Sequence, residues 1–147
     1  MIQIVKLTPD QVAEHWPYIR KGLEKTQPVT FHMTAESLRN ILKNMLMMNI
    51  QCWAVLESDD PDPFYGFILT TIYIDWVSES RFLNIYDVFS FKPFKTGMLE
   101  SAYKGIEEFA RTNNCPKIMA YTKLPYIVQL AERFGFNSDC RLLMKEV

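Results

Sequence analysis

Three strand-like runs follow one another between residues 52 and 91: Cys52–Glu57, Tyr65–Asp75 and Phe82–Phe91. Short turn-forming stretches separate them, Ser58-Asp59-Asp60-Pro61-Asp62-Pro63 and Val77–Ser80. Consecutive strands joined this closely fold as an antiparallel meander, because a parallel return needs a long crossover. After residue 98 the period changes to that of a helix. Met98, Ala102, Ile106, Phe109 and Ala110 share one face of a segment running to Arg111, and Asn113-Asn114 closes it. A short buried-type strand over Lys117–Thr122, a helix over Pro125–Phe134 with Gly135 at its C-cap, and a last strand over Arg141–Val147 complete the pattern.

The N-terminal third adds one strand and two helices. Ile2–Leu7 is mostly apolar and strand-like. Thr8-Pro9-Asp10 opens a helix whose Val12, Trp16, Ile19 and Leu23 recur at helical spacing. Pro17 predicts a kink or split in it, and Gln27-Pro28 its end. Thr34 caps a second helix with Leu38, Ile41, Leu42, Met45 and Leu46 on one face. The Met-rich run Met45–Met48 reads as a helix end packed in the core, or else as an adaptable apolar surface. The order β-α-α-β-β-β-α-β-α-β predicts an α/β (α+β) chain with a mixed, mostly antiparallel sheet and helices on both faces.

Composition narrows the function. A chain of 147 residues, 48% of them apolar, suits a single domain over 1–147 with a real core. Sixteen basic against 17 acidic residues leave a net charge of −1, which argues against a nucleic-acid partner bound through phosphates. No apolar run reaches membrane-spanning length, so no membrane partner is expected. Cys52, Cys115 and Cys140 form no metal or disulfide pattern, and a reducing, cytoplasmic location is the expectation. Cys52 reads as a small core residue. The acidic Pro-rich turn at 58–63 fits no calcium loop and reads as a solvated hairpin loop.

Single reactive residues are sparse. His15 falls outside the apolar stripe of its helix and reads as solvated, and His32 precedes the second helix. Ser90 has no G-x-S-x-G context. The corner Phe94-Lys95-Thr96-Gly97-Met98-Leu99 lies where a strand turns into a helix. Such a corner can cradle a phosphate, since a glycine admits close backbone approach and the helix N-terminus is electropositive. Lys92 and Lys95 are its candidate charges, or ordinary exposed lysines.

The element order, together with A-E-R-F-G-F at 131–136, resembles the GNAT N-acetyltransferase superfamily. Glu132, Gly135 and Phe136 match by identity the Glu-Lys-Leu-Gly-Phe run many members carry, and Arg133 and Phe134 match by type. The resemblance implies acetyl transfer from acetyl-CoA (coenzyme A) to an amine on a small molecule or protein. It implies coenzyme contacts at Phe89, Ser90, Phe91, Lys95, Thr96, Gly97 and Met98, a base at Asp87, and a proton donor for the thiolate at Tyr126 or Tyr121. Asp87 sits among apolar neighbours, where burial would raise its pKa, or else on a solvated sheet face.

The coenzyme loop is degenerate. Of the family's Arg/Gln-x-x-Gly-x-Gly/Ala pattern only Gly97 remains, with Phe94 and Leu99 at the other two places. Leu124 stands where an Asn is common and Ala131 where the usual acidic Tyr stands. Two readings follow. One is a divergent acetyltransferase. The other is a non-catalytic GNAT-like module for protein interaction or a phage structural component, with the aromatic stretches Phe64–Phe67 and Phe89–Phe94 facing a partner. An exposed last strand edge would also permit an oligomer.

Overall fold

The computed structural model describes residues 1–26 and 28–147. The chain runs β1 (Ile2–Lys6), α1 (Pro9–Leu23), α2 (Ala35–Leu46), β2 (Ile50–Glu57), β3 (Phe64–Ile74), β4 (Arg81–Ser90), α3 (Met98–Thr112), β5 (Lys117–Ala120) and α4 (Pro125–Arg133). The strands lie in that order across one sheet. The first four pair antiparallel, and β5 pairs parallel to β4 across the α3 crossover. The mixed, mostly antiparallel sheet expected from the periodicity is therefore the one formed.

Strand alternation builds two cores. Cys52, Ala54, Phe67, Leu69 and Phe89 point to one face, where Val12, Ile19 and Leu23 of α1 and Leu38, Ile41 and Met45 of α2 meet them. Trp53, Val55, Tyr65, Ile68 and Leu83 point to the other, under Met98, Ala102, Ile106 and Ala110 of α3. β2 and β3 are thus buried on both sides, and one buried polar chain is kept satisfied. Trp53 Nε1 donates to Thr70 Oγ1 at 2.9 Å, and that hydroxyl donates to Gln51 Oε1 at 2.9 Å. Gly22 is where α1 crosses β4. A Cβ there would stand 2.1 Å from the Phe89 ring.

The helix ends follow local chemistry. Thr8 and Gln11 form a reciprocal capping box at α1, and Thr34 and Ser37 form another at α2. α4 closes on Gly135 at φ 88°, with Gly135 N–H donating to Glu132 O and Phe136 N–H to Ala131 O. Met45 is in the core, whereas Leu46, Met47 and Met48 are exposed, so the Met-rich run is half core and half surface.

Three expectations fail. α1 is not split at Pro17: it runs unbroken from Pro9 to Leu23, with Pro17 and Ala13, whose carbonyl the ring leaves unbonded, on the exposed side. α1 ends at Leu23, ahead of the expected stop; Gln27 of that stop lies outside the described residues. The last strand over Arg141–Val147 does not form, and those residues carry no regular structure and are exposed. A strand needs an edge to bond, and this segment lies on none.

Candidate functional site

β4 and β5 part company halfway. Their pairing runs from Phe82–Lys117 to Ile85–Ala120 and stops, while β4 continues to Ser90. The parting coincides with a bulge. Leu69 of β3 faces Asp87 and Thr70 faces Ile85, so Tyr86 is an extra residue in β4. A bulge bends its strand and increases the local twist, which swings the second half of β4 away from its neighbour.

Hydrogen-bond parity then shows what faces the fork. Phe91 N–H donates to Tyr65 O at 2.9 Å, so the amides of residues 87, 89 and 91 point to β3 and those of Val88 and Ser90 point into the fork. Val88 N–H is met by Asp87 Oδ1 at 2.9 Å. Ser90 is thus the one of Phe89, Ser90 and Phe91 that turns its N–H to the gap. The Phe89 ring is buried against Phe67, and the Phe91 ring packs edge-on to both.

Asp87 lies on the α1/α2 face, like Leu69 opposite it. It is half-buried, with Oδ2 itself out of solvent. Among the described residues that Oδ2 has no hydrogen-bond partner, and neither does the buried Oδ1 of Asn84, which shares that face of β4. Burial pushes the Asp87 pKa up, against the smaller opposing effects of the Thr26 hydroxyl and the Val88 amide. Thr26 stands just past α1, and its hydroxyl donates to Leu23 O at 2.9 Å. Tyr86 stacks on Phe31 of the α1–α2 connection with centroids 6.0 Å apart, beside Asp87 in the chain. Burial, and secondarily the Asp87 charge, raises the Tyr86 pKa.

The strand-to-helix corner is open. Gly97 is the α3 N-cap at φ 85°, with no side-chain cap, and a Cβ built on it meets nothing within 4 Å. Met98 N–H donates to Lys95 O at 3.1 Å, while the N–H groups of Thr96, Gly97, Leu99 and Glu100 find no acceptor among the described residues. The Phe94 ring does not fill the corner. It packs on the α3-side core, 3.0 Å from where a Cβ of Gly66 would stand. Leu99 is half-buried.

The two lysines are already engaged. Lys92 Nζ is 3.5 Å from Asp60 Oδ2 and 3.6 Å from Asp62 Oδ2, and Lys95 Nζ is 3.7 Å from Asp60 Oδ2. Both ammonium groups sit over the Tyr65 ring, whose hydroxyl donates to Asp60 at 2.7 Å. The Tyr65 bond, then the Asp62 backbone, then Lys92 hold the Asp60 carboxyl down at about 2. The 58–63 turn is thus not merely a solvated hairpin loop: it clamps the lysines beside the corner.

Tyr126 is the second residue of α4, 65% exposed, and without a side-chain hydrogen bond among the described residues. It follows the end of β5, on the side where the fork opens. His15 is not solvated as expected but half-buried against Phe64, at 4.9 Å between centroids. His32 offers its carbonyl to Ser37 Oγ at 3.3 Å. A cavity of about 200 Å³ between α1 and α2, lined by Trp16, Arg20, Ala35, Leu38, Arg39 and Leu42, includes none of these groups. Sequence reasoning missed Asn84, Thr26 and Asp60, because the bulge that aligns Asn84 with Asp87 and the packing that brings the other two in leave no periodic signal.

No protein-family model and no curated protein matches the chain. Solved structures do. AAC(6')-Iy in complex with a bisubstrate analogue, CoA-S-monomethyl-acetylneamine, aligns at a TM-score of 0.75 and 16% identity, covering 100% of this chain and 98% of that one. An aminoglycoside acetyltransferase from an uncultured soil metagenomic sample, in complex with sisomicin, aligns at 0.74 and 11% identity over 99% and 95%. A transcriptional regulator from Bacillus halodurans C-125 aligns at 0.75 and 14% identity over the whole of both chains. At such identities the likeness is one of architecture. The chain has the GNAT acetyltransferase fold.

Proposed function

We propose that the chain is a GNAT-type N-acetyltransferase that moves an acetyl group from acetyl-CoA to an amine. The observation that carries this reading is the fork, with a buried carboxylate at its bulge and an uncapped helix N-terminus at its mouth. Unbonded amides beside a glycine with open space fit a diphosphate, and the free N–H of Ser90 fits an extended amide-bearing arm laid along β4. Relatives of this shape that hold a CoA-based bisubstrate analogue or an aminoglycoside support the same assignment.

An acetyl thioester supplies the activated carbonyl and the carbon–sulfur bond that breaks. Asp87, ionised, takes the proton that the amine must lose as it forms the new carbon–nitrogen bond. Its buried setting makes it a stronger base than a free carboxylate. Thr96, Gly97, Leu99 and Glu100 offer the free amides of the cradle, with Lys95 beside it, whereas the expected Met98 amide is taken by Lys95 O. Tyr126, at the open end, returns a proton to the thiolate. The acceptor enters beside the stacked Phe31 and Tyr86 rings.

Acetyl-CoA at about 100 times its Kd should stabilise the chain by about 2.7 kcal/mol in a thermal-shift measurement. Asp87→Asn should keep that shift and lose about 10²-fold or more in acetylation rate. No shift at millimolar acetyl-CoA would instead favour a non-catalytic interaction module. That second reading draws on Trp76 and Val77, 92% and 96% exposed at the tip of a β3–β4 turn that Asp75 holds rigid with bonds from Val77 and Ser78.

A further inference from the structure

Two oxygens on the α1/α2 face of β4 stand without a donor. Asn84 Oδ1 and Asp87 Oδ2 are both out of solvent, and neither has a hydrogen-bond partner among the described residues. Pairing with Thr71 and Leu69 of β3 sets the two side chains on that one face, as neighbours across the Tyr86 bulge. In an unbulged strand a spacing of three would point them to opposite faces. The Asp87 charge is met by the Thr26 hydroxyl and the Val88 amide, and by no cation among the described residues. A buried acceptor left unbonded is costly, so two of them side by side mark a place that a donor fills.

The surroundings describe that donor. A carboxylate, an amide oxygen and the stacked rings of Tyr86 and Phe31 together favour a compact cation rich in N–H. An ammonium is such a group, and acetyl transfer fixes which of its protons stay. A primary ammonium carries three. Two leave as the carbon–nitrogen bond forms and the carbon–sulfur bond breaks; the thiolate ends with one and the solvent with the other. The third remains on the product amide. A secondary ammonium carries two, and both leave.

We propose that Asn84 is a positioning residue for the acceptor: its Oδ1 accepts from the N–H that the nitrogen keeps, while Asp87 draws off the proton that the attacking nitrogen loses. The inference rests on the acetyl-transfer reading and narrows its acceptor to primary amines. With the kept N–H anchored on Asn84, the nitrogen cannot turn, and the lone pair freed by proton loss stays in one direction. A secondary amine that gives its last N–H to Asp87 has none for Asn84. That oxygen is then left orphaned in the transition state, and the site rejects the secondary amine for that reason.

One test needs no turnover. In the full chain labelled with nitrogen-15, methylammonium chloride should shift the Asn84 side-chain amide signals, assigned by their loss in Asn84→Leu. Tetramethylammonium chloride, which has no N–H, should not. Equal responses to both salts, or none to either, overturn the proposal. With acetyl-CoA, thiol release is followed for benzylamine and butylamine and for their N-methyl derivatives. The primary amines should lead by about tenfold or more in kcat/KM, and Asn84→Leu, close to Asn in size, should bring each pair within about twofold. A preference that survives Asn84→Leu is steric and overturns the proposal. Asn84→Leu should also have a Tm no lower than the native chain, since it removes an unbonded buried oxygen. A lower Tm means that the Asn84 amide is a structural partner of Asp87, and overturns the proposal as well. The acetyl-CoA thermal shift reads the transfer reading separately, and the methylammonium titration decides on Asn84 even where none of the four amines is acetylated.

Discussion

The part of the chain up to Thr112 and the part beyond it are built differently. In the first, every helix buries residues on a two-sided sheet, and Val12, Ile19, Leu23, Phe67, Leu69 and Met98 are 2% exposed or less. In the second, β5 has four residues, α4 has no buried residue, and the tail has no strand to join. A helix draws its stability from the apolar face it packs. The first part therefore carries the folding free energy, and the second depends on whatever completes it. The fork lies on the boundary: its carboxylate belongs to the rigid part and its Tyr126 to the open one.

The largest break in that contrast comes from Phe67 and Ile127. Phe67→Ala should cost about 3–5 kcal/mol in urea unfolding, since it empties the centre of the α1/α2-side core. Ile127→Ala on α4 should cost under about 1 kcal/mol. Equal losses would erase the distinction. Next, Gly22→Ala should cost about 1–3 kcal/mol, because its Cβ collides with a Phe89 ring that the packed side cannot yield.

The smallest effect sharpens the boundary itself. The folded pKa of Asp87 lies above the roughly 3.9 of an unfolded aspartate, so the folded state holds the extra proton between the two values. Stability through this group therefore falls as pH rises across that window. Asp87→Asn should be more stable than the native chain at neutral pH, with the difference closing below about pH 4. A variant less stable at neutral pH would mean that the carboxylate is held by partners not seen around Oδ2.

Much of the fold was legible because it rests on period. Leu38, Ile41 and Met45 at helical spacing, and Cys52 with Ala54 against Trp53 with Val55, declare their faces one residue at a time. Thr8 with Pro9 marked a helix start and Gly135 a helix end through local bonds. The site was legible only in part. Asp87 and Gly97 were candidates through the family resemblance, by alignment and not by period. That Asp87 takes Val88 N–H, that Tyr86 is the extra residue, and that Asp60 clamps Lys92 and Lys95 could not.

By itself the sequence determined which segments are strands and helices up to α4, which faces they bury, and where the chain turns, because these depend on spacing and on bonds between near neighbours. Only the tertiary structure decided that Pro17 leaves α1 whole, that Arg141–Val147 finds no edge, and that β4 and β5 diverge at Ile85. Those outcomes depend on which distant surface reaches a group first, and contacts between residues far apart in the chain leave no period to read.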